Sequence, residues 1–205
     1  LGWFGFNAGS AYSAGGLSGI TIINTQIASA VSALIWVVIF WIRTKKSSVI
    51  AAINGAVAGL AGITPASGYV GVEYALVIGI ICGVASSLTV PLFKEKLKID
   101  DALDVGSVHG VAGIIGSLLV GVFANAAVNH LGINGLLFGN PHQLELQAIG
   151  VGIAVLMGFG GTLVILKVLK ALIPIRVKPE VEEAGLDIEE HAERAYSDDE
   201  EFGKL

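Results

Sequence analysis

Five apolar runs near twenty residues long, each closed by a short polar or charged break, constrain this chain more than any motif in it. They fall at roughly 20–42, 48–64, 71–93, 102–124 and 147–172. At ~1.5 Å rise per residue, about twenty apolar residues cross a ~30 Å hydrocarbon core, so each run is about long enough to span a bilayer. The period-2 alternation of barrel strands is absent, whereas 28 glycines suit helices whose backbones approach closely in lipid. With 54% hydrophobic and 14% charged residues and a mean hydropathy of +0.77, a soluble domain of this size could not hide its apolar surface. The predicted fold class is all-α, a polytopic transmembrane helix bundle. Gly55, Gly59 and Gly62, and again Gly110, Gly113 and Gly116, are the predicted helix-packing steps.

Loop charge orients the spans. Arg43, Lys45 and Lys46 follow the first, Lys94, Lys96 and Lys98 the third, and Lys167, Lys170, Arg176 and Lys178 surround the end of the fifth, while 65–70 and 125–146 hold no Lys or Arg. Positive loops stay inside, which predicts residues 1–17 outside and the C-terminus in the cytoplasm. The stretch "LGWFGFNAGSAYSAGGL" reads as the exit end of a further span, which makes the chain an expected fragment. Residues 1–172 carry 8 basic and 6 acidic side chains (+2) and 173–205 carry 4 basic and 11 acidic (−7), so the predicted division is a transmembrane region and a solvated tail. In the tail, "GLDIEEHAERAY" offers Asp187 as an N-cap with Glu190 three residues on, and Ile188, Ala192, Ala195 and Tyr196 on one face of a short helix; the alternative is a solvated tail without fixed structure.

The ionisable groups of the fourth span point to function. His109 lies eleven residues past Lys98, ~16 Å deep if the helix starts there. An ionisable side chain at that depth faces a bundle interior or a cavity and marks a substrate or proton path; the competing reading is a neutral histidine bonding a neighbouring helix. Imidazole can donate, accept and exchange a proton at modest cost, which suits a path for a weak acid. Asp100 and Asp101 are expected to cap the helix at the headgroups, and Asp104 to hold backbone N–H groups in a structural role. Trp3, Phe4 and Phe6 beside Asn7 and Ser10 are either interfacial anchors or a cation site, with ring faces and a hydroxyl as acceptors. His130 and His142 are expected to be solvated loop residues, not metal ligands, and the lone Cys82 forms no intrachain disulfide.

Five segments, "WFGFNAGSA" (3–11), "NTQIASAVSALIW" (24–36), "GAVAGLAGITPASGYV" (55–70), "DDALDVGSVHGVAGIIG" (100–116) and "GLDIEEHAERAY" (185–196), resemble in that order the second half of the ammonium transporter family (Amt/Mep/Rh). The resemblance implies eleven spans in two inverted halves around a pore, a homotrimer in the cell membrane, and a chain running from the end of span six through span eleven. It implies a transporter in nitrogen metabolism and not an enzyme, with no cofactor and no nucleic acid, passing ammonium, ammonia or methylammonium through a hydrophobic pore with a histidine relay. Residue by residue, Phe6 becomes one of two phenylalanines closing the outer pore and Ser10 an acceptor at the external ammonium site. Trp3 and Val105 become pore-lining positions, and His109 the second histidine of a pair. The first histidine belongs to the N-terminal half of the same protein. Gly185, Leu186, Asp187 and Tyr196 fall in a regulatory tail that in relatives packs under the trimer and helps a PII-type signal protein plug the pore exits. The family often reads D-V-F-G-V-H-G where this chain has Gly106 and Ser107, which leaves the packing beside the histidine open. An ammonium sensor, or a neutral-gas channel of the same fold, are the alternative functions.

Overall fold

The computed structural model describes residues 1–193, and among them every regular element is helical. A short α1 (Gly2–Gly9) leads into α2 (Gly16–Thr44), α3 (Val49–Ile63) and α4 (Val72–Pro91), whose last turn widens into a π turn, Leu92–Lys96. Pro91 supplies no N–H to the ladder at that point. A second π turn, Gly106–Val111, opens α5 (Ala112–Phe123). The chain then continues through α6 (His142–Val155), a π turn and α7 (Gly161–Leu172) as one apolar helical stretch, His142–Leu172. The chain forms two compact units, Leu1–Ala154 and a second that begins at Val155.

Four helical stretches are long and apolar enough to cross a membrane: Gly16–Thr44, Val72–Lys96, Gly106–Phe123 and His142–Leu172. The second expected span is shorter than predicted. Helix α3 has 15 residues, about 22 Å at the α-helical rise. Residues 64–71, directly after this helix, are irregular backbone, and two of their carbonyls are bonded by a side chain of α2: Asn24 Nδ2 donates to Ser67 O and to Val70 O, both at 2.9 Å. Irregular backbone at such a depth survives only where protein groups take up its bonds. The predicted bounds of the other spans shift as well. The first begins at Gly16, the fourth at Gly106, and the fifth at His142, which opens a helix rather than lying in a loop and holds Glu145 Oε2 on Nδ1 at 2.9 Å.

The core of the first unit is a three-helix crossing made by small residues. Ala28, Ser32 and Trp36 recur every four residues along α2, on one face. A side chain at Gly59 would meet the Ala28 carbonyl, and one at Gly55 would lie 2.6 Å from Trp36 Cβ. From the other side, Cβ positions at Gly79 and Gly83 fall 2.8 Å from Ala28 O and 3.0 Å from Ser32 Oγ. Trp36 Nε1 donates to Ser86 Oγ at 2.8 Å, so the bulky end of the stripe is also pinned to α4. Gly62 and Gly116 bring α3 and α5 into backbone contact. The expected steps at Gly110 and Gly113 are different: a Cβ there meets nothing within 4 Å.

In the unit that begins at Val155, α7 is followed by α8 (Pro179–Ala184) and α9 (Leu186–His191). Arg176 forks onto Glu182 with Nη2 2.8 and 3.0 Å from its two carboxylate oxygens, an exposed pair worth roughly 0–1 kcal/mol. Gly185 sits at φ +103, a conformation a side chain resists, and is the residue before α9. The expected Asp187 cap is therefore displaced: Gly185 takes the cap position, Leu186 is the first helical residue, and Asp187 Oδ1 accepts from the Ile188 N–H. Ala192, expected on the apolar face, instead closes the helix in the left-handed region. Ala195 and Tyr196 lie outside the described residues.

If the Ala28 crossing holds the first unit together, Gly59→Ala in the full-length protein should cost about 1–3 kcal/mol, as overpacking does. The check is the thermal midpoint in detergent, and a midpoint equal to that of the parent protein would mean the crossing is looser than described.

Candidate functional site

Helix α1 places Trp3, Phe6, Asn7 and Ser10 at spacings of three and four, which puts them on one stripe. The stripe is split by burial. Asn7 is buried and donates from Nδ2 to Thr25 Oγ1 at 3.0 Å. Trp3 is half-buried, its Nε1 donating to Thr64 Oγ1 at 2.8 Å. Phe6 is 64% exposed. Ser10 is exposed too, and its hydroxyl donates back to Phe6 O at 3.0 Å, which leaves its lone pairs free to accept.

The start of the chain meets the π turn before α5 at this stripe. The Trp3 indole stacks on the His109 imidazole, centroids 6.0 Å apart and planes 18° from parallel, within the range for aromatic pairs. Thr64 fixes the indole from behind, so the chain Thr64–Trp3–His109 links α3, α1 and the π turn that opens α5. His109 itself is exposed in this chain, not enclosed as its expected depth implied. Its face carries Val105, Gly110 and His109 without cover, because the helices described here pack on the opposite side, through Gly116.

Backbone geometry around the imidazole is unusual at two points. His109 lies in the π turn Gly106–Val111, a form frequent at functional sites. Ahead of it Asp104 occupies the left-handed region at φ +57. Asp101 caps as expected, whereas Asp104 is held by side chains and not by the backbone N–H groups expected for it. Asp101, not Asp104, caps the turn: its Oδ1 accepts from Val105 N at 2.9 Å and its Oδ2 from Gly106 N at 2.7 Å. Asp104, its side chain 13% exposed, pairs with Lys94 Nζ at 2.7 Å and accepts from Asn54 Nδ2 at 2.8 Å. A partly buried carboxylate holds its charge best with such partners. Asp101 stands four and five residues ahead of the two N–H groups it caps, while Asp104, at φ +57 just before the helical residues, turns its side chain to Lys94 and Asn54.

Gly106 answers the packing left open by the sequence. A side chain there would lie 3.0 Å from Phe93 Cε2 and 3.2 Å from Asp101 Oδ2. An aromatic ring from the π turn that ends α4 occupies the space, and Ser107 beside it is buried. Among the described residues no cluster of three or more potential metal ligands occurs, and Cys82 is a free, buried thiol.

Thr64 and Asn54 were not legible as site residues. Both are polar groups inside apolar runs, a signal that marks them as bonded to something but does not say to what.

Against known families, residues 1–196 match the Ammonium Transporter Family. The chain belongs to that family. Ammonium transporter 1 of Dictyostelium discoideum is 47% identical over 196 residues, 96% of this chain and 42% of that protein. Among solved structures, Saccharomyces cerevisiae Mep2 superposes with a TM-score of 0.80 at 38% identity, covering 84% of this chain and 41% of that one. A protein described as Sensor Amt Protein does so at 0.80 and 33% identity, over 93% of this chain and 46% of that one. The chain thus spans less than half the length of these ammonium transporter relatives. Of the family positions carried by sequence, Trp3 and His109 meet directly, Phe6 and Ser10 share one hydrogen bond, and Val105 precedes the π turn on the His109 face. Gly185, Leu186 and Asp187 lie in the other unit.

The Asp101 cap generates a differential prediction. Asp101→Ala should lower stability by about 0.5–2 kcal/mol, as lost N-caps do, whereas Asp100→Ala, away from the capped turn, should stay within roughly ±0.5 kcal/mol of the parent. Thermal midpoints of the two full-length variants decide it; equal losses would remove the cap assignment.

Proposed function

We propose that this chain is the second half of an ammonium-conducting pore, completed by the N-terminal half of the same protein and assembled as a homotrimer in the cell membrane. The single observation that supports it most is the Trp3–His109 stack on an uncovered apolar face, with Phe6 and Ser10 further along the same stripe.

The chemistry rests on desolvation. A bare ammonium ion in an apolar channel has an insupportable solvation cost, while neutral ammonia does not. Ser10, its proton held by Phe6 O, offers a lone pair to an N–H of the cation at the outer mouth. Phe6 then narrows the path, and the proton must leave before the constriction. His109, as a neutral imidazole, hydrogen-bonds the ammonia and relays the proton with the histidine of the other half. Trp3 holds the ring in place through its stack, itself fixed by Thr64.

On this reading residues 1–172 are the transmembrane region and 173–205 a cytoplasmic regulatory tail that meets a PII-type signal protein. Its supports are the charge change at residue 173 and Gly185, whose positive φ redirects the chain. A sensor function is the second reading, favoured by the likeness to the Sensor Amt Protein.

In proteoliposomes, His109→Ala in the full-length protein should cut methylammonium uptake by at least about tenfold, the factor that ~1.4 kcal/mol of lost stabilisation produces. Wild-type uptake by the variant excludes a pore role for the ring. A parent protein that binds ammonium without any flux favours the sensor. Gly185→Asp should leave ammonium binding at the mouth intact and change flux or its response to a PII-type protein; no change in either reduces 173–205 to a solvated tail.

A further inference from the structure

Behind Phe6 and Ser10 lies a cavity of about 260 Å³ between α1, α2 and the 64–71 turn. Four of its polar side chains are more than nine-tenths buried: Asn7 is 5%, Thr21 2%, Ser67 4% and Asn129 9% exposed. Water or ligand must satisfy whatever polar atoms they leave unpaired.

The aliphatic hydroxyls of its lining all point their protons the same way. Every serine and threonine hydroxyl lining the cavity has its proton committed to a backbone carbonyl. Ser10 donates to Phe6 O at 3.0 Å, Thr21 to Leu17 O at 2.7 Å, Thr64 to Leu60 O at 2.7 Å and Ser67 to Thr64 O at 3.3 Å. Asn7 is fixed by the same logic. Its partner Thr25 already donates to Thr21 O at 2.7 Å, so Thr25 Oγ1 can only accept, and the Asn7 amide must turn its Nδ2 toward it. Asn7 Oδ1 is left buried with no hydrogen-bond partner. Thr64 Oγ1 is taken by Trp3 Nε1, which leaves four open acceptors: Asn7 Oδ1, Ser10 Oγ, Thr21 Oγ1 and Ser67 Oγ. Only Tyr69 and the Asn129 amide can donate inward, and the lining holds no basic side chain.

We propose that this cavity is a binding site for an ammonium-type cation, held chiefly by Asn7 Oδ1, Thr21 Oγ1 and Ser67 Oγ, at which the ion is retained beside the mouth. A cavity of this volume admits several waters; their protons could fill these acceptors, but their own lone pairs would find few donors in the lining. Ammonium has four N–H donors and no lone pair, and matches it. The aromatic faces of the mouth attract any small cation; this lining selects for N–H groups. The proposal deepens the pore reading and rests on it.

Two kinds of full-length variant test it. Thr21→Val with Ser67→Ala removes two acceptors while keeping shape. Gly68→Ala removes none, but places a Cβ 3.3 Å from Thr21 Oγ1 and so crowds the cavity. Each is expected to raise the half-saturating methylammonium concentration for uptake about tenfold, as lost bonds to a charged group do, with maximal rate within about twofold of the parent. Tetramethylammonium, a cation without N–H donors, should compete equally poorly in all. Unchanged half-saturation in both variants overturns the site, and so does a fall in maximal rate alone, which would assign these side chains to packing.

A binding arm separates this from failure of the pore reading. Ammonium chloride should raise the thermal midpoint of the parent above that in sodium chloride, and Gly68→Ala should abolish the difference. A parent without flux but with this shift retains the site and loses the pore; a parent with flux and an identical shift in Gly68→Ala retains the pore and loses the site.

Discussion

Everything in the first unit depends on how closely α2 can be approached at Ala28. Two helices bring glycines to the same residue, Gly59 from one side and Gly79 from the other, at distances where any side chain would strike the Ala28 backbone. In lipid there is no hydrophobic gain on association, since acyl chains are as apolar as leucine, so attraction must come from dispersion at short range and from interhelical hydrogen bonds. Small residues supply the first. Trp36 to Ser86 and Asn24 to the 64–71 turn supply the second.

That crossing decides where the chemistry stands. Because α3 is held against α2, Thr64 at its end is held too, and Thr64 is what fixes the Trp3 indole. The imidazole is reached through one more contact, the ring stack. A displacement of α3 along α2 would therefore be felt at His109 without any substitution near it. The same helix carries Asn54, which with Lys94 steadies Asp104 at the start of the π turn. One helix thus supports the histidine from both sides.

Much of this was legible in the residues. Length and hydropathy of the runs give helices, and the glycine spacing at 55, 59 and 62 gives the packing face of α3 correctly, because packing glycines on a helix recur at three and four. Gly79 and Gly83 share that spacing in α4 and pack equally closely. The triple 110, 113 and 116 has a similar pattern, yet only Gly116 packs, since a pattern does not reveal that the helix is interrupted by a π turn. Similarly, position in the run placed the cap at Asp100 or Asp101, and Asp101 takes it; that Asp104 would turn to Asn54 and Lys94 from a left-handed backbone was not legible, since no composition rule requires that conformation. In the tail, the Ser/Thr/Asx cap rule named Asp187, and the positive φ of Gly185 moved the cap two residues earlier. The mouth residues were visible by family likeness, but their partners Thr64 and Thr25 were not, since a threonine in an apolar helix most often bonds only its own backbone.

The π turn also sets a phase. In an unbroken α-helix residues seven apart return to nearly the same azimuth, within about 20° at 3.6 residues per turn. His109 and Gly116 would then compete for one side of α5, and the imidazole would be driven against Gly62. The wide turn takes up slack in the winding, so that His109 looks away from the packed seam while Gly116 still meets it. The local sequence therefore has a reading frame of its own. Deleting a single residue between Gly106 and Val111 would turn everything before it by about 100°, and the imidazole would leave its azimuth without any change in its chemistry.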